Sequence, residues 1–197
     1  MVSVLYKLAY IFKDNLNDDK NASKCLSLVN ELKPLIEQYG IKDIPNIGKV
    51  YISETDCLSN YILDDDANFP SLLSIPYLEY PFIDKEIYQN TRRYILSKNN
   101  KYYYEGHVLK GIGSPHTKSN MVWPIALAMQ GLTSESEIEK QSCFDMLVKS
   151  AVDNHLMHEG VDCNDPNQYT RSWFSWANSM FALFVLEWKK YIAYVKS

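Results

Sequence analysis

The chain has 197 residues with 46% hydrophobic side chains, which is enough for one domain with a substantial core. Its formal charge is −4, and its 20 basic and 24 acidic residues are mixed along the sequence without a basic stripe. Nucleic acid is therefore not expected as a partner. The aromatic content is 13%, and most of these rings are expected in the core.

Cysteine usage and the two chain ends predict a soluble, cytoplasmic protein without a membrane partner. The cysteines are far apart and form no CxxC pair, which favours reduced thiols, with two disulfides as the open alternative. The first residues lack the pattern of a signal peptide. The apolar run near the C-terminus contains Glu187, Lys189 and Lys190, which favours a buried helix over a membrane span.

Helical periodicity dominates the first 40 residues. A second helix is expected from a cap at Asn21 to a stop at Gly40, with a potential kink at Pro34. Residues 2–15 form the first helix and place five apolar side chains on one stripe: Val4, Leu5, Leu8, Ile11 and Phe12.

The middle of the chain mixes short elements with long loops. The string KVYIS at residues 49–53 predicts a short strand or extended loop, and Pro70 predicts a short helix over residues 71–78. Asp84 is expected to cap the next helix. Residues 100–120 carry Gly and Pro without a helical period, which is typical of a long functional loop.

The last third returns to helices. Residues 121–132 form one, and Ser134 with Glu137 makes a capping box for another that reaches about Val152. A polar loop, HEGVDCNDPNQYT, precedes the last helix. The pattern predicts an all-α fold of helical hairpins over residues 1–197, without an internal domain boundary, whose loops make the ligand contacts.

The string DDDAN raises the question of how three adjacent carboxylates are tolerated. It begins like an EF-hand loop, but Phe69 stands where that loop requires glycine, so the calcium reading fails. Two readings stay open: Asn68 caps a helix while Asp64 and Asp65 lie in solvent, or Asp66 and Asn68 face a pocket and bind hydroxyl groups.

Three further strings are weak signals when taken singly. HLMHE contains His155, His158 and Glu159 but matches neither HExxH nor HxxEH, so zinc hydrolysis has little support and surface residues at a helix end are the plainer reading. GSPHT is a tight turn that displays His116, and YTRSWFSWANSMF has the spacing of a core helix. No GxSxG, P-loop or GxGxxG string occurs in these residues.

Taken together and in order, these strings resemble one family, glycoside hydrolase family 125. The similar segments extend over nearly all of the chain from about Val2: DDDANFPSLLSIPYL, YQNTRRYILSKNNKYYYEG, KGIGSPHT, VWPIALAMQGLTS, LMHE and YTRSWFSWANSMF. The resemblance implies an (α/α)6 toroid like that of other six-hairpin glycosidases, exo-α-1,6-mannosidase activity, an α-mannoside glycan as the partner, and no metal or other cofactor.

The resemblance covers only the C-terminal half of such an enzyme. A complete toroid has twelve main helices, and about six or seven are predicted here. The family's general acid lies in an arginine-proline-serine-aspartate-aspartate motif, and these residues contain no such string. We therefore expect an incomplete toroid that needs a separate N-terminal half chain or self-association. The alternative is a truncated, catalytically inactive sugar-binding or degenerate product.

The resemblance also implies roles for individual residues. Members invert the anomeric configuration, and Glu159 corresponds to the catalytic base, followed by Gly160 and Val161 in place of a serine and an aromatic residue, which predicts a looser loop. Arg171 would fix that loop. The residues expected to contact the sugar hydroxyls are Asp66, Asn68, His116, Glu54 and Asp56, with Cys57 replacing a family glycine.

Two expectations about the surface follow. The loops at 64–70, 111–118 and 157–171 should meet at one end of the helices. Helices that would pack against the other half should expose apolar side chains. The residues expected to do so are Val4, Leu5, Leu8 and Phe12 in the first helix and Phe184 and Trp188 in the last.

Overall fold

Helices carry most of the regular structure. The computed structural model describes the backbone of residues 1–195 and the side chains of residues 1–189, and about 44% of the chain is helical. The expected all-α fold therefore holds in a coarser form, a mainly helical fold with short strands. The described α-helices are α1 (Val2–Tyr10), α2 (Asp19–Tyr39), α3 (Lys85–Ile95), α4 (Pro124–Leu132), α5 (Glu137–Ser150) and α6 (Ser175–Val195).

The strands form small antiparallel sheets in the connections between helices. Three sheets are hairpins, in which β1 pairs with β2, β3 with β4 and β5 with β6, and in the fourth β8 lies between β7 and β9. The strands are β1 (Ile41–Ile44), β2 (Gly48–Tyr51), β3 (Glu54–Thr55), β4 (Tyr61–Ile62), β5 (Tyr103–Glu105), β6 (Lys110–Ile112), β7 (Met121–Val122), β8 (Gly160–Asp162) and β9 (Tyr169–Thr170).

Contacts divide the chain into two compact units. The first unit consists of Met1–Leu63 and Ile75–Thr91, and the second consists of Asp64–Ser74 and the chain from Arg92 onward. Each unit therefore combines two separate stretches of sequence. The expectation that residues 1–197 form part of one catalytic domain without an internal boundary stays a prediction.

The first unit contains α1, which continues as a π-helical turn over Ile11–Asn15, so the helix expected over residues 2–15 is confirmed. Its buried side chains are Val2 and Ala9 rather than the predicted stripe. Val4 is 58% exposed and Leu8 36%, whereas Leu5 and Phe12 are half-buried. The exposure expected for the first helix is thus seen at two of the four residues.

Helix ends in the first unit follow local side-chain hydrogen bonds. Asp18 caps α2, because its Oδ1 accepts from the Asn21 amide at 3.0 Å, so the expected cap at Asn21 is wrong by three residues. The helix passes through Pro34 and ends before Gly40, as predicted. Asp84 caps α3 by accepting from the Ile87 amide at 3.1 Å, which confirms that expectation.

The second unit is built around α4, which is buried along most of its length and packs against α5 and α6. Ser136, not Ser134, caps α5 by accepting from the Glu139 amide. The exposure expected on the last helix is wrong, because Phe184 is 1% exposed and Trp188 stacks on it with ring centroids 5.7 Å apart.

The helix expected over residues 71–78 is wrong, because the chain from Ser71 onward forms turns. At the start of this segment, the buried carboxyl group of Asp65 accepts from the amides of Leu72 at 2.9 Å and Leu73 at 3.1 Å. The expectation that Asp65 lies in solvent is also wrong, because it is 3% exposed. Burial raises the pKa of Asp65 to about 7, while the two amides oppose this shift.

Two further expectations concern cysteines and membranes. All four cysteines are free thiols, which agrees with the reduced state predicted. Among the described residues, no helix combines the length and the apolar character that crossing a bilayer requires.

We expect the stability of the protein to fall as the pH rises through the range set by Asp65. The folded chain retains this proton up to a pKa of about 7, whereas the unfolded chain releases it near 3.8. Between these values the native state binds more protons, so the free energy of unfolding decreases by up to roughly 1.4 kcal/mol per pH unit. Asp65→Asn should remove this contribution.

This expectation is checked by urea unfolding of the wild type, Asp65→Asn and the neighbouring control Asp64→Asn. The measurements run between about pH 4.5 and 8, roughly the window between the two pKa values. The difference in unfolding free energy between the wild type and Asp65→Asn should shift with pH in favour of the variant. An identical pH dependence in both proteins would show that Asp65 does not retain its proton in the folded chain.

Candidate functional site

The carboxylate of Asp66 orients Asn68 in the second unit. Asp66 Oδ1 accepts from the Asn68 amide at 2.8 Å, and Oδ2 accepts from Asn68 Nδ2 at 3.1 Å. Asn68 Nδ2 also lies 3.2 Å from Ser114 Oγ. The Asn68 side chain is therefore fixed, and its Oδ1 stays available as an acceptor among the described residues.

The three adjacent aspartates are tolerated because each has its own donors. Asp64 lies 2.9 Å from Lys101 Nζ and accepts from the Lys101 amide at 3.1 Å. Asp65 is bound by two amides and buried, whereas Asp66 is bound by Asn68. The three carboxylates thus face different partners, and only Asp66 lies beside a side chain expected to contact sugar.

The loop that carries His116 lies beside Asn68. Ala67 donates its amide to the Gly113 carbonyl at 2.9 Å, and the His116 amide lies 3.3 Å from Ser114 Oγ. Only glycine fits at position 113, since a Cβ there would lie 2.1 Å from the Met121 carbonyl oxygen. The expected neighbourhood of the loops at 64–70 and 111–118 is therefore present in the second unit.

Trp123, which directly precedes α4, connects the His116 loop to the Glu159 loop. Its Nε1 donates to Thr117 Oγ1 at 2.9 Å, and its ring centroid lies 6.4 Å from that of His116. The backbone of Gly160 also lies against the indole, because a Cβ at this position would be 3.0 Å from Trp123 Nε1. The residues from Asp66 to Glu159 thus form one continuous chain of contacts.

Backbone pairing and an ion pair hold Glu159. The Glu159 amide donates to the Thr170 carbonyl at 3.2 Å, and the Gly160 amide donates to Thr170 Oγ1 at 3.0 Å. The Glu159 side chain is 15% exposed, and its Oε1 lies 3.1 Å from Nε of Arg171. Arg171 therefore contacts the expected base itself, in addition to the loop.

The replacement of the family serine by Gly160 does not leave this segment unpaired. Gly160 pairs with Thr170 and Val161 with Tyr169 in the ladder between β8 and β9. Val161 is completely buried. The expected looser loop is not what the structure shows, since the residues after Glu159 form the central strand of a three-stranded sheet.

Glu54 and Asp56 belong to the first unit, whereas the other four expected site residues belong to the second. Glu54 is exposed in β3, opposite Ile62. Asp56 accepts from the amides of Leu58 at 2.9 Å and Asn60 at 3.1 Å, and these hydrogen bonds lower the pKa of its carboxyl group. The carboxylate of Asp56 thus stabilises its own loop.

The sequence reasoning missed three residues that join the site loops: Ser114, Thr117 and Trp123. Ser114 and Thr117 belong to the GSPHT string, in which only His116 was expected to contact a ligand. Within the described residues, no three His, Cys, Asp or Glu side chains come close enough together to hold a metal ion.

Comparison with known proteins identifies the family. The sequence profile described as "Metal-independent alpha-mannosidase (GH125)" matches residues 1–186. The chain belongs to the GH125 family. The resemblance noted in the sequence is thereby confirmed, and with it the general class of glycoside hydrolases.

Two longer proteins are similar to this GH125 chain. The Schizosaccharomyces pombe meiotically up-regulated gene 157 protein is 46% identical over 167 residues, which cover 84% of this chain and 33% of that protein. A Streptococcus pneumoniae metal-independent α-mannosidase, solved in a non-productive complex with α-1,6-mannobiose, has a TM-score of 0.85 and 41% identity. The match covers 94% of this chain and 44% of that mannosidase.

A more distant structure agrees in fold. A bacterial glucoamylase complexed with acarbose has a TM-score of 0.69 at 16% identity, covering 93% of this chain and 32% of the glucoamylase. This GH125 chain thus spans less than half the length of the relatives described here.

We expect Thr117→Val to destabilise the site. Trp123 is 2% exposed, and the substitution removes the acceptor of its buried N–H while it preserves the side-chain shape. A buried donor without a partner costs about 1–3 kcal/mol. Urea unfolding should show a loss of that size, with faster hydrogen exchange at Trp123 Nε1.

Thr117→Ser is the matched control, since it retains the hydroxyl oxygen. Its free energy of unfolding and its hydrogen exchange at Trp123 Nε1 should stay close to those of the wild type. Equal stability and equal indole exchange in Thr117→Val and Thr117→Ser would mean that the hydrogen bond does not hold Trp123 in place.

Proposed function

We propose that these residues form the C-terminal part of an inverting exo-α-1,6-mannosidase that acts on mannose-containing glycans, with Glu159 as the catalytic base. The observation that carries the proposal is the half-buried Glu159 carboxylate, held by Arg171 in a chain of contacts that reaches His116 and Asn68. The α-1,6-mannobiose bound by the Streptococcus pneumoniae relative supports the choice of substrate.

An inverting glycosidase uses two carboxyl groups. One protonates the departing oxygen while the other accepts a proton from a water that attacks the opposite face of the sugar, and the two groups lie roughly 6.5–9.5 Å apart. Glu159 suits the second role, because Arg171 holds Oε1 while Oε2 has no hydrogen-bond partner among the described residues. Oε2 can then accept the proton of the attacking water.

Several polar side chains would bind the mannose hydroxyls. In the second unit, Asn68 Oδ1 would accept a hydrogen bond from a hydroxyl group, Asp66 would accept with its remaining lone pairs, and the His116 imidazole would supply a further contact. In the first unit, Glu54 is exposed and available. Asp56 would contact sugar with an oxygen that already accepts hydrogen bonds within its loop.

The general acid would come from outside these 197 residues, which contain no arginine-proline-serine-aspartate-aspartate string. In this proposal the described helices are part of an (α/α)6 toroid, and further helices from a separate N-terminal half chain or from self-association complete it. Exposed apolar side chains of α1, of the π-helical turn after it and of α2 in the first unit support this arrangement, among them Val4, Leu8, Ile11, Leu28 and Leu35. The chemistry requires no metal or other cofactor.

The alternative is a sugar-binding chain without catalysis. The same absent string supports this alternative. Without a general acid, the base and the residues that contact hydroxyl groups could bind a mannoside but would not cleave it. Isothermal titration with α-1,6-mannobiose, in parallel with the hydrolysis assay below, distinguishes the two functions.

We expect the 197-residue chain to release no appreciable mannose from α-1,6-mannobiose. Addition of the portion of the Streptococcus pneumoniae mannosidase that lies outside the match should produce hydrolysis, because the family resemblance implies that the acid lies in the other half of such an enzyme. Glu159→Gln should then lower kcat by about 10²–10⁴-fold, the usual contribution of a general base.

Glu135→Gln is the control, since Glu135 is an exposed glutamate before α5 with no part in the proposed site. It should leave kcat unchanged. Turnover by the 197-residue chain that is insensitive to Glu159→Gln would overturn both the missing acid and the choice of base. Binding without turnover in any mixture would favour the sugar-binding alternative.

A further inference from the structure

His158, the residue before the proposed base, is completely buried in the second unit. Its imidazole stacks on the Tyr169 ring, with centroids 3.7 Å apart and 6° between the planes. The Tyr169 hydroxyl donates to Asp153 Oδ2 at 2.6 Å, which fixes the ring that the imidazole lies on. Stacking on a ring that is itself held in place thus restricts the orientation of the imidazole.

The imidazole also holds the backbone of Arg171. His158 Nδ1 lies 2.9 Å from the Arg171 carbonyl oxygen. A carbonyl oxygen only accepts, so Nδ1 carries the proton and the tautomer is defined. Nε2 is buried and has no hydrogen-bond partner among the described residues. The single hydrogen bond of the ring thus goes to Arg171.

Arg171 adopts a backbone conformation that is uncommon for residues other than glycine. Its φ is 55°, in the left-handed region of backbone conformation that residues other than glycine rarely occupy. From this backbone the guanidinium lies over the Phe174 ring, 5.5 Å from its centroid, and its Nε contacts Glu159 Oε1 at 3.1 Å. A relaxed backbone at Arg171 would carry the guanidinium away from Glu159.

We propose that His158 is a positioning residue for the base. By binding the Arg171 carbonyl, it keeps Arg171 in the left-handed conformation that aims the guanidinium at Oε1 of Glu159, and it thereby leaves Oε2 directed to the attacking water. His158 itself touches neither substrate nor water. This inference rests on the proposed role of Glu159, but the link from His158 to Arg171 can be measured without activity.

The first arm of the test uses the 197-residue chain and NMR. Exchange of the Arg171 Nε–Hε proton should be slower in the wild type than in His158→Phe, which stacks on Tyr169 but cannot donate, although the Arg171 side chain is 64% exposed. His158→Asn should restore slow exchange, because the Asn amide places an N–H close to the position of Nδ1. Cys143→Ala, a buried change in α5, is the control for lower stability and should leave the Arg171 signal unchanged.

The second arm measures kcat and KM for α-1,6-mannobiose in the mixture that hydrolyses it. His158→Phe should lower kcat between about tenfold and 100-fold with little change in KM, the size expected from a misplaced catalytic group. His158→Asn should recover most of the loss, and Cys143→Ala should change neither constant.

The two arms separate failure of this inference from failure of the proposed function. Arg171 exchange that is as slow in His158→Phe as in the wild type would overturn the inference, whatever the activity. Equal loss of kcat in His158→Asn and His158→Phe would also overturn it, since the hydrogen bond would then be irrelevant. A wild-type mixture without hydrolysis, together with the expected exchange rates, would overturn the function of Glu159 but support the link from His158 to Arg171.

Discussion

The buried indole of Trp123 is the contact on which the rest of the candidate site depends. Its N–H is bound by Thr117 in the loop that carries His116, and its ring lies against Gly160, the residue after Glu159. Two loops that are more than 40 residues apart in sequence therefore share one rigid aromatic group. Since Trp123 directly precedes the most buried helix, α4, the position of the site is tied to the core of the second unit.

Much of the helical framework could be predicted, because its signals are local. Asp84 and Gly40 lie where a cap and a stop were expected, and the periodic segments became helices. The errors lie at helix starts, where several neighbouring polar residues could serve as the cap. Asp18 caps α2 three residues before Asn21, and turns replace the helix expected over residues 71–78, where Asp65 accepts from the Leu72 amide.

The site was less predictable from the residues, because its contacts join distant segments. Family resemblance pointed to Glu159, His116 and Asn68, but the hydrogen bond from Asn68 to Ser114 connects residues 46 positions apart and has no local signal. Arg171, which pairs with Glu159, has a left-handed backbone, a conformation that the residue type does not predict. The family resemblance indicated which residues belong to the site, whereas the contacts between them, through Trp123, are seen only in the structure.

The most direct test of the central claim, that Glu159 activates water in an inverting reaction, is rescue by azide. In the mixture that hydrolyses α-1,6-mannobiose, Glu159→Ala removes the base and leaves space beside the sugar. Azide needs no deprotonation, so it should restore turnover in this variant and yield β-mannosyl azide, the product of a single inverting displacement. A product of α configuration, or no response to azide while the acid is intact, would contradict the assignment of Glu159.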